Sequence, residues 1–441
     1  MSRRRTLDVP VLARVEGEGA MHVRIRDGVV EDVQLSIYEP PRFFEGFLRG
    51  RDATEAPDIT ARICGICPVA YQMAAANAVE SAWSISVSDA VRAMRRLLYC
   101  GEWIESHALH IYLLHAPDFL GYPDALAMAA DHKELVQQGL RLKKIGNQLM
   151  DLVGGRSVHP VNVRVGGFYR FPSAEEIAAV RPVLDQAFQD AEATVRTVAA
   201  LELPDLEIPY QFVALDDETG RYPLEGGRFL LSGDGQSAPE RFALEEFDER
   251  VVEVHVAHSN ALHARLHGVG SYVVGPLARW ALLADRVAGA AGALASELGV
   301  PRPVRNPFAS IVVRALEVLY AVEEAQRILD AWPDEPGAPA SPVVASPGLG
   351  YGASEAPRGL LVHRYRTDET GAIRDAVIVP PTSQNQAQIE ADLRVLVESR
   401  LHLDDAALTL ECETAIRNYD PCISCATHFL QLTVDRGDAS T

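Results

Sequence analysis

Polar and apolar residues alternate from Met21 to Tyr38, as His22-Val23-Arg24-Ile25-Arg26, then Asp27-Gly28, then Val29 to Leu35. That alternation around Asp-Gly predicts two strands joined by a tight turn. After Cys67 the spacing changes to three or four, through Val69, Met73, Ala76 and Val79, which predicts a helix. A longer helix is expected from Ser88, its N-cap, through Val91, Met94, Leu98, Ile104, Leu109 and Leu113, ending before Pro117. Another covers Lys133 to Val153 and stops at Gly154-Gly155, and a further one begins near Ser173 with Glu175-Glu176 in its first turn. Pro204 to Arg250 mixes short strands with Gly and Pro turns. Helical spacing returns at Leu277 to Leu298 and Ser310 to Trp332, and Asp334 to Gly348 is an exposed loop. Leu360 to Tyr365 and Ile373 to Val379 flank a second hairpin turn, and Gln386 to Val397 and Leu403 to Ala415 are helices. No internal repeat or low-complexity tract interrupts the pattern. The expected class is α+β, mainly α, with a long-helix core and small peripheral sheets.

Composition narrows the function classes. A chain of 441 residues suggests two or three domains by length alone. Its 61 acidic against 41 basic residues give a formal charge of -20, which repels nucleic-acid phosphates and anionic membranes. The basic start, Met1-Ser2-Arg3-Arg4-Arg5, is followed by Leu7-Asp8-Val9-Pro10 where a secretory signal needs an unbroken apolar stretch. No window reaches the roughly 18 apolar residues of a membrane span. A cytoplasmic location is expected; a subunit exported with a signal-bearing partner would have the same sequence features.

Six cysteines are too few for a disulfide framework, and four of them form two Cys-x-x-Cys pairs. They are Arg62-Ile63-Cys64-Gly65-Ile66-Cys67 and Asp420-Pro421-Cys422-Ile423-Ser424-Cys425-Ala426-Thr427-His428. Paired zinc motifs within one module are usually about 12 to 20 residues apart, whereas nearly the whole chain separates these two. A thioredoxin-like pair needs one Cys-x-x-Cys in a βαβ setting that the pattern lacks. If the pairs meet, they make a soft four-thiolate site suited to nickel, zinc or iron, and spacing alone does not choose among them. Cys100 and Cys412 stand apart and read as core residues.

Arg-x-Cys-Gly-x-Cys near one end and Asp-Pro-Cys-x-x-Cys-x-x-His near the other resemble the signature motifs of nickel-iron hydrogenase large subunits. The resemblance extends along nearly the whole chain. It includes Arg14-Val15-Glu16-Gly17-Glu18, Phe44 to Asp52, Ser106-His107-Ala108-Leu109-His110, His159-Pro160, Glu355-Ala356-Pro357-Arg358-Gly359 and Pro381-Thr382-Ser383. It implies the large-subunit fold and heterolytic cleavage of H2 at a Ni-Fe(CO)(CN)2 centre. Cys64, Cys67, Cys422 and Cys425 would bind nickel, with Cys67 and Cys425 also bridging to iron. Glu16 would relay the proton, with Cys422 a candidate first base. Arg358 and Thr382 would donate hydrogen bonds to cyanide, and Asp420 would orient Arg358 or the thiolates. Glu45, His428 and the Ile378 carbonyl would hold a separate magnesium or iron ion.

The same resemblance implies one catalytic body over residues 1–428, closed by both ends of the chain. Residues 429–441 would be removed by a dedicated protease, between His428 and Phe429, after chaperones insert nickel. Once four cysteines bind nickel, the two that remain cannot hold an iron-sulfur cluster, so a cluster-bearing small subunit is required. The segment Ser106 to Asp118 is similar to the cytoplasmic, NAD(P)-linked sulfhydrogenase-type branch, which implies diaphorase subunits with flavin. Coupling to heterodisulfide reductase or another soluble acceptor is the alternative. Two competing classes are a quinone-reductase relative, which lacks the four cysteines, and a structural zinc scaffold. The chain departs from many relatives at Tyr71, where they carry histidine, and at Ser106, where membrane-bound ones carry aspartate.

Overall fold

The computed structural model describes residues 4–217, 219–233 and 238–427. The first expected hairpin is present as β2 (Gly19–Arg26) and β3 (Val29–Ile37), with Val23 opposite Val33. Asp27 and Gly28 both have positive φ, 51° and 79°, the pairing that lets a two-residue turn match the twist of its strands. The sequence pattern did not single out β1 (Arg4–Val9), which pairs with β2 and completes a three-stranded sheet. Met21, Val23 and Ile25 turn one face of it to the core.

The helices follow. α1 (Phe44–Leu48) is short, and α2 (Pro68–Ala82) is alanine-rich and buried almost all round. Ser88 caps α3 (Asp89–Leu109), accepting a hydrogen bond from Val91 N. The helix does not stop ahead of Pro117 as expected. It passes through a π-helical turn at His110–His115 into α4 (Ala116–Leu120), with the Ala116 N–H bonded back to Ile111 O and Pro117, which has no N–H to donate, directly after it. α5 (Lys133–Gly154) ends where expected, with Gly155 at φ 80°. α6 (Ala174–Ala199) opens on a capping box between Ser173 and Glu176.

The mixed middle segment contains β4 (Gln211–Asp216), β5 (Arg228–Gly233) and β6 (Glu240–Ala243) in one sheet. A separate pair follows, β7 (Val251–Val254) and β8 (His263–Leu266). The helix expected from Leu277 to Leu298 is two, α7 (Pro276–Leu283) and α8 (Gly289–Glu297). Val287 is extended and Gly289 has φ 69°, so the backbone breaks between them while the side-chain spacing hides the break. α9 (Ser310–Asp330) is the central helix, buried on nearly every side and packed against α3, α6 and α8.

The expected loop before Gly348 has no strand or helix. β9 (Gly348–Ala356) then pairs with β10 (Gly359–Thr367), which pairs with β11 (Ile373–Val379), the second expected hairpin. β9 was not predicted, because Gly348-Leu349-Gly350-Tyr351-Gly352 has little strand propensity. Its glycines have a packing reason. A Cβ at Gly348, Gly350 or Gly352 would stand 2.3, 2.0 or 2.2 Å from the carbonyl oxygens of Ala82, Ala78 and Ala74. Two strand residues advance about 6.7 Å and four helical residues about 6 Å, so every second glycine meets the next turn of α2. α10 (Pro381–Ser399) begins five residues earlier than its apolar spacing suggested, which brings Thr382 and Ser383 into its first turn. α11 (Asp405–Arg417) completes the described helices.

The architecture is helix-dominated α+β, and among the described residues the strands form five small sheets of two or three strands. One apolar cluster includes residues from β1, α2, α3, α9 and α11 together with Cys64, Cys67, Cys422 and Cys425. No helix of the described residues is long and apolar enough to cross a membrane.

Candidate metal centre

The two cysteine pairs meet inside that cluster. Cys64 Sγ lies 3.6 Å from Cys422 Sγ, and Cys67 Sγ lies 3.5 Å from Cys425 Sγ. All four are buried free thiols, and their sulfur atoms fall within 4.8 Å of one another. Cys64 is extended after a 3₁₀ turn at Ala61–Ile63, and Cys67 is the N-cap of α2. The positive end of the helix dipole therefore lies at Cys67, where it would favour a metal-bound thiolate. The Cys67 side chain does not cap the helix. Glu102 of α3 takes that role, accepting from Val69 N at 2.7 Å and Ala70 N at 3.2 Å, and the thiol is left for the cluster. Sequence reasoning missed Glu102, since an acid inside a helix carries no local mark of such a partner.

At the other end, Asp420 turns the chain after α11 with φ 50°. Cys422 N donates to Thr382 Oγ1 at 3.0 Å, and Ile423 N donates to the Glu16 carbonyl at 2.9 Å. The Glu16 segment thus runs beside Cys422 as a parallel bridge. Glu16 is half-buried, and its Oε2 lies 3.1 Å from Cys422 Sγ while accepting from Ser424 N at 3.0 Å. Beyond it, Ser424 Oγ donates to Glu39 at 3.0 Å.

Arg358 is buried beside the sulfurs. Its Nε donates to the Asp420 carbonyl at 2.8 Å, its Nη2 to Asp420 Oδ1 at 3.2 Å, and its Nη1 reaches Ser106 Oγ at 3.5 Å. The turn that carries Arg358 rests on a second buried guanidinium. Arg279 bonds both oxygens of Glu317 at 2.7 Å, Glu355 at 2.9 Å, and the carbonyls of Ala356 and Pro357 at 3.0 and 3.1 Å. It also stacks 4.3 Å over the Trp103 ring. Burial works to raise the Glu317 carboxyl, but Arg279 outweighs it and holds the pKa at about 2. Neither Arg279 nor Glu317 lies in a motif that the sequence reading singled out.

The expected second metal position is brought together in part. Glu45, on α1, is 7% exposed, and its Oε1 accepts from Ile378 N at 2.8 Å. The N–H and C=O of a strand residue point the same way, so the Ile378 carbonyl faces the Glu45 side of edge strand β11. His428 lies outside the described residues. Tyr71 donates to the Cys425 carbonyl at 3.5 Å and packs against His363. Burial raises the Cys100 thiol and pushes Cys412 up to about 12, as expected of inert core cysteines.

The donor set fits a soft metal. Hydrogen bonds from Cys422, Cys425 and Cys67 hold the Cys64 thiol well below its usual range, while burial pushes Cys422 well above it. Four buried thiolates need a cation to balance them, and an all-sulfur donor set suits a soft metal such as nickel, zinc or iron.

A family model described as nickel-dependent hydrogenase matches residues 42–139 and 271–428. The alpha subunit of sulfhydrogenase 1 from Pyrococcus furiosus is 35% identical over 426 residues, covering 96% of this chain and 97% of that protein. The beta subunit of the NAD-reducing hydrogenase HoxS from Cupriavidus necator is 29% identical, covering 98% of this chain and 96% of that one. The crystal structure of an NAD+-reducing NiFe hydrogenase in the H2-reduced state superposes with a TM-score of 0.87 at 28% identity, over 97% of this chain and 99% of that chain. The chain belongs to the nickel-dependent hydrogenase family as a catalytic large subunit, an oxidoreductase acting on hydrogen.

Proposed function

We propose that this large subunit oxidises H2 reversibly with Glu16 as its proton relay, and passes electrons through an iron-sulfur small subunit to a flavin diaphorase and NAD(P). The observation that carries the relay is the Glu16 carboxylate 3.1 Å from Cys422 Sγ. When bound, the Ni-Fe(CO)(CN)2 group supplies heterolytic cleavage of H2. Cys64, Cys67, Cys422 and Cys425 would hold it. Cys422 is the first proton acceptor and Glu16 the second, held in place by Ser424 N.

Thr382 meets Cys422 and Arg358 lies beside the cysteines, so both would offer donors to the cyanides, with Asp420 fixing the Arg358 fork. The Thr382 oxygen accepts from Cys422 N, which leaves its own O–H to donate. Arg358→Lys keeps the charge but loses the fork. It should lower kcat about 10-fold or more, the equivalent of one charge-assisted hydrogen bond, with nickel content retained and the infrared cyanide bands shifted. Unchanged bands would remove Arg358 from this role.

Glu45, the Ile378 carbonyl and His428 are the proposed ligands of a magnesium or iron ion. Residues 1–428 are proposed as one catalytic body, with 429–441 removed after nickel insertion by a maturation protease. The relatives named for NAD support the NAD(P) assignment, and a cytoplasmic location is proposed with it. Co-purification of a flavin subunit with NAD(P)-dependent H2 oxidation tests it; a complex that reduces only another soluble acceptor overturns that part.

Metal analysis of the processed protein tests the centre itself. Nickel and iron are both expected of the four-thiolate site, in about equal amounts when magnesium fills the second position, with carbonyl and cyanide infrared bands. Zinc alone, or no metal, overturns the reading.

A further inference from the structure

Away from the cysteine cluster, ligand atoms from His258, His263 and Glu390 also fall within 4.8 Å of one another. They come from separate elements: His263 opens β8, His258 lies in the segment before it, and Glu390 projects from α10. His258 Nε2 is 2.7 Å from Glu390 Oε1, and His263 Nδ1 is 4.0 Å from Glu390 Oε2. The His263 side chain has no exposed surface, yet neither ring nitrogen has a hydrogen-bond partner among the described residues. Buried imidazoles ordinarily satisfy at least one nitrogen. His263 instead aims Nδ1 at a carboxylate that stands too far away for a hydrogen bond.

We propose that His258, His263 and Glu390 bind a divalent metal of the zinc class. Two imidazoles and a carboxylate are a common three-ligand set for zinc, with water in the fourth position. Ligand atoms about 2.0–2.1 Å from such a metal lie roughly 3.3 Å apart. His263 Nδ1 stands 4.0 Å from Glu390 Oε2, and the three ligand atoms all fall within 4.8 Å of one another, so side-chain rotations bring them to that spacing. Glu390 Oε1 also accepts from Leu35 N at 2.9 Å, a bond that fixes the carboxylate while Oε2 turns to the metal. Arg265 is close enough to act on both Glu390 and His263 and opposes a second cation, which sets the site towards moderate affinity.

The site has a structural consequence. Next to His258, Ser259 Oγ accepts from Ile37 N at 3.3 Å and Asn260 N donates to Ile37 O at 2.6 Å. Ala261 and Ile37 pack with Ile423 and Ala426 of the carboxy-terminal cysteine segment. A metal here clamps α10 and β3 to the segment that covers one side of that motif.

The test uses the mature holoenzyme, dialysed against zinc sulfate, with zinc content and zinc-edge X-ray absorption as readouts. About one added zinc per chain is expected, coordinated by nitrogen and oxygen without sulfur. His258→Ala, at a side chain 22% exposed, should weaken uptake by more than the roughly 10- to 100-fold typical of an outer-sphere partner. Glu390→Gln should do the same, and H2 oxidation should be unchanged in the His258 variant. Equal zinc uptake by wild type and His258→Ala, or sulfur in the zinc coordination shell, overturns the site.

Discussion

Glu16→Gln is expected to lower H2 oxidation by about 100- to 10,000-fold, the range for loss of a positioned proton-transfer group. The substitution is nearly isosteric. A Gln amide oxygen still accepts from Ser424 N, and the backbone bond from Ile423 N to the Glu16 carbonyl is untouched, so Cys422 keeps its place. What is lost is the group that takes and releases a proton 3.1 Å from Cys422 Sγ. Nickel and iron content and the infrared bands should therefore match wild type while turnover collapses. Glu16→Asp keeps the acid but shortens its reach, and should recover part of the rate. H2 uptake and hydrogen-deuterium exchange measure both. A Gln variant that retains turnover within about 3-fold, less than 1 kcal/mol of barrier, would move the relay elsewhere.

That prediction concerns residues the sequence made visible, and the reason is chemical. Two Cys-x-x-Cys pairs announce a metal because few other uses need that spacing, and the short motifs around them carried Glu16, Glu45, Arg358 and Thr382 by resemblance. Local rules were also legible: the Asp27-Gly28 turn, the Ser88 cap and the Gly155 stop each depend on a few neighbouring residues. What stayed hidden depends on contacts far along the chain. Glu102 caps a helix that is not its own, and Arg279 supports the Arg358 turn through Glu355 and the Ala356 and Pro357 carbonyls. The break between α7 and α8 was masked because both halves turn leucines and alanines to the core. The π turn after α3 leaves only a proline in an unexpected place.

Gly350→Val should be the most damaging single change outside the metal ligands. Ordinary overpacking costs about 1–3 kcal/mol, and more where the neighbour cannot move. Here the first new atom would stand 2.0 Å from Ala78 O and 2.4 Å from Ala82 N, both backbone atoms of α2. Backbone cannot rotate aside, so relief requires α2 and β9 to separate. α2 begins at Cys67, whose sulfur must stay with that of Cys425, 3.5 Å away. A helix pushed off β9 therefore loosens a metal ligand as well as the core. Lower nickel content per chain and a much shorter half-life in thermal inactivation are both expected, with Gly350→Ala intermediate. Leu349→Ala is the control on the same strand: its side chain is 41% exposed, so a change within about 0.5 kcal/mol is expected. Full nickel loading and wild-type inactivation in Gly350→Val would mean that the glycine stripe does not set the distance between β9 and the helix that carries Cys67.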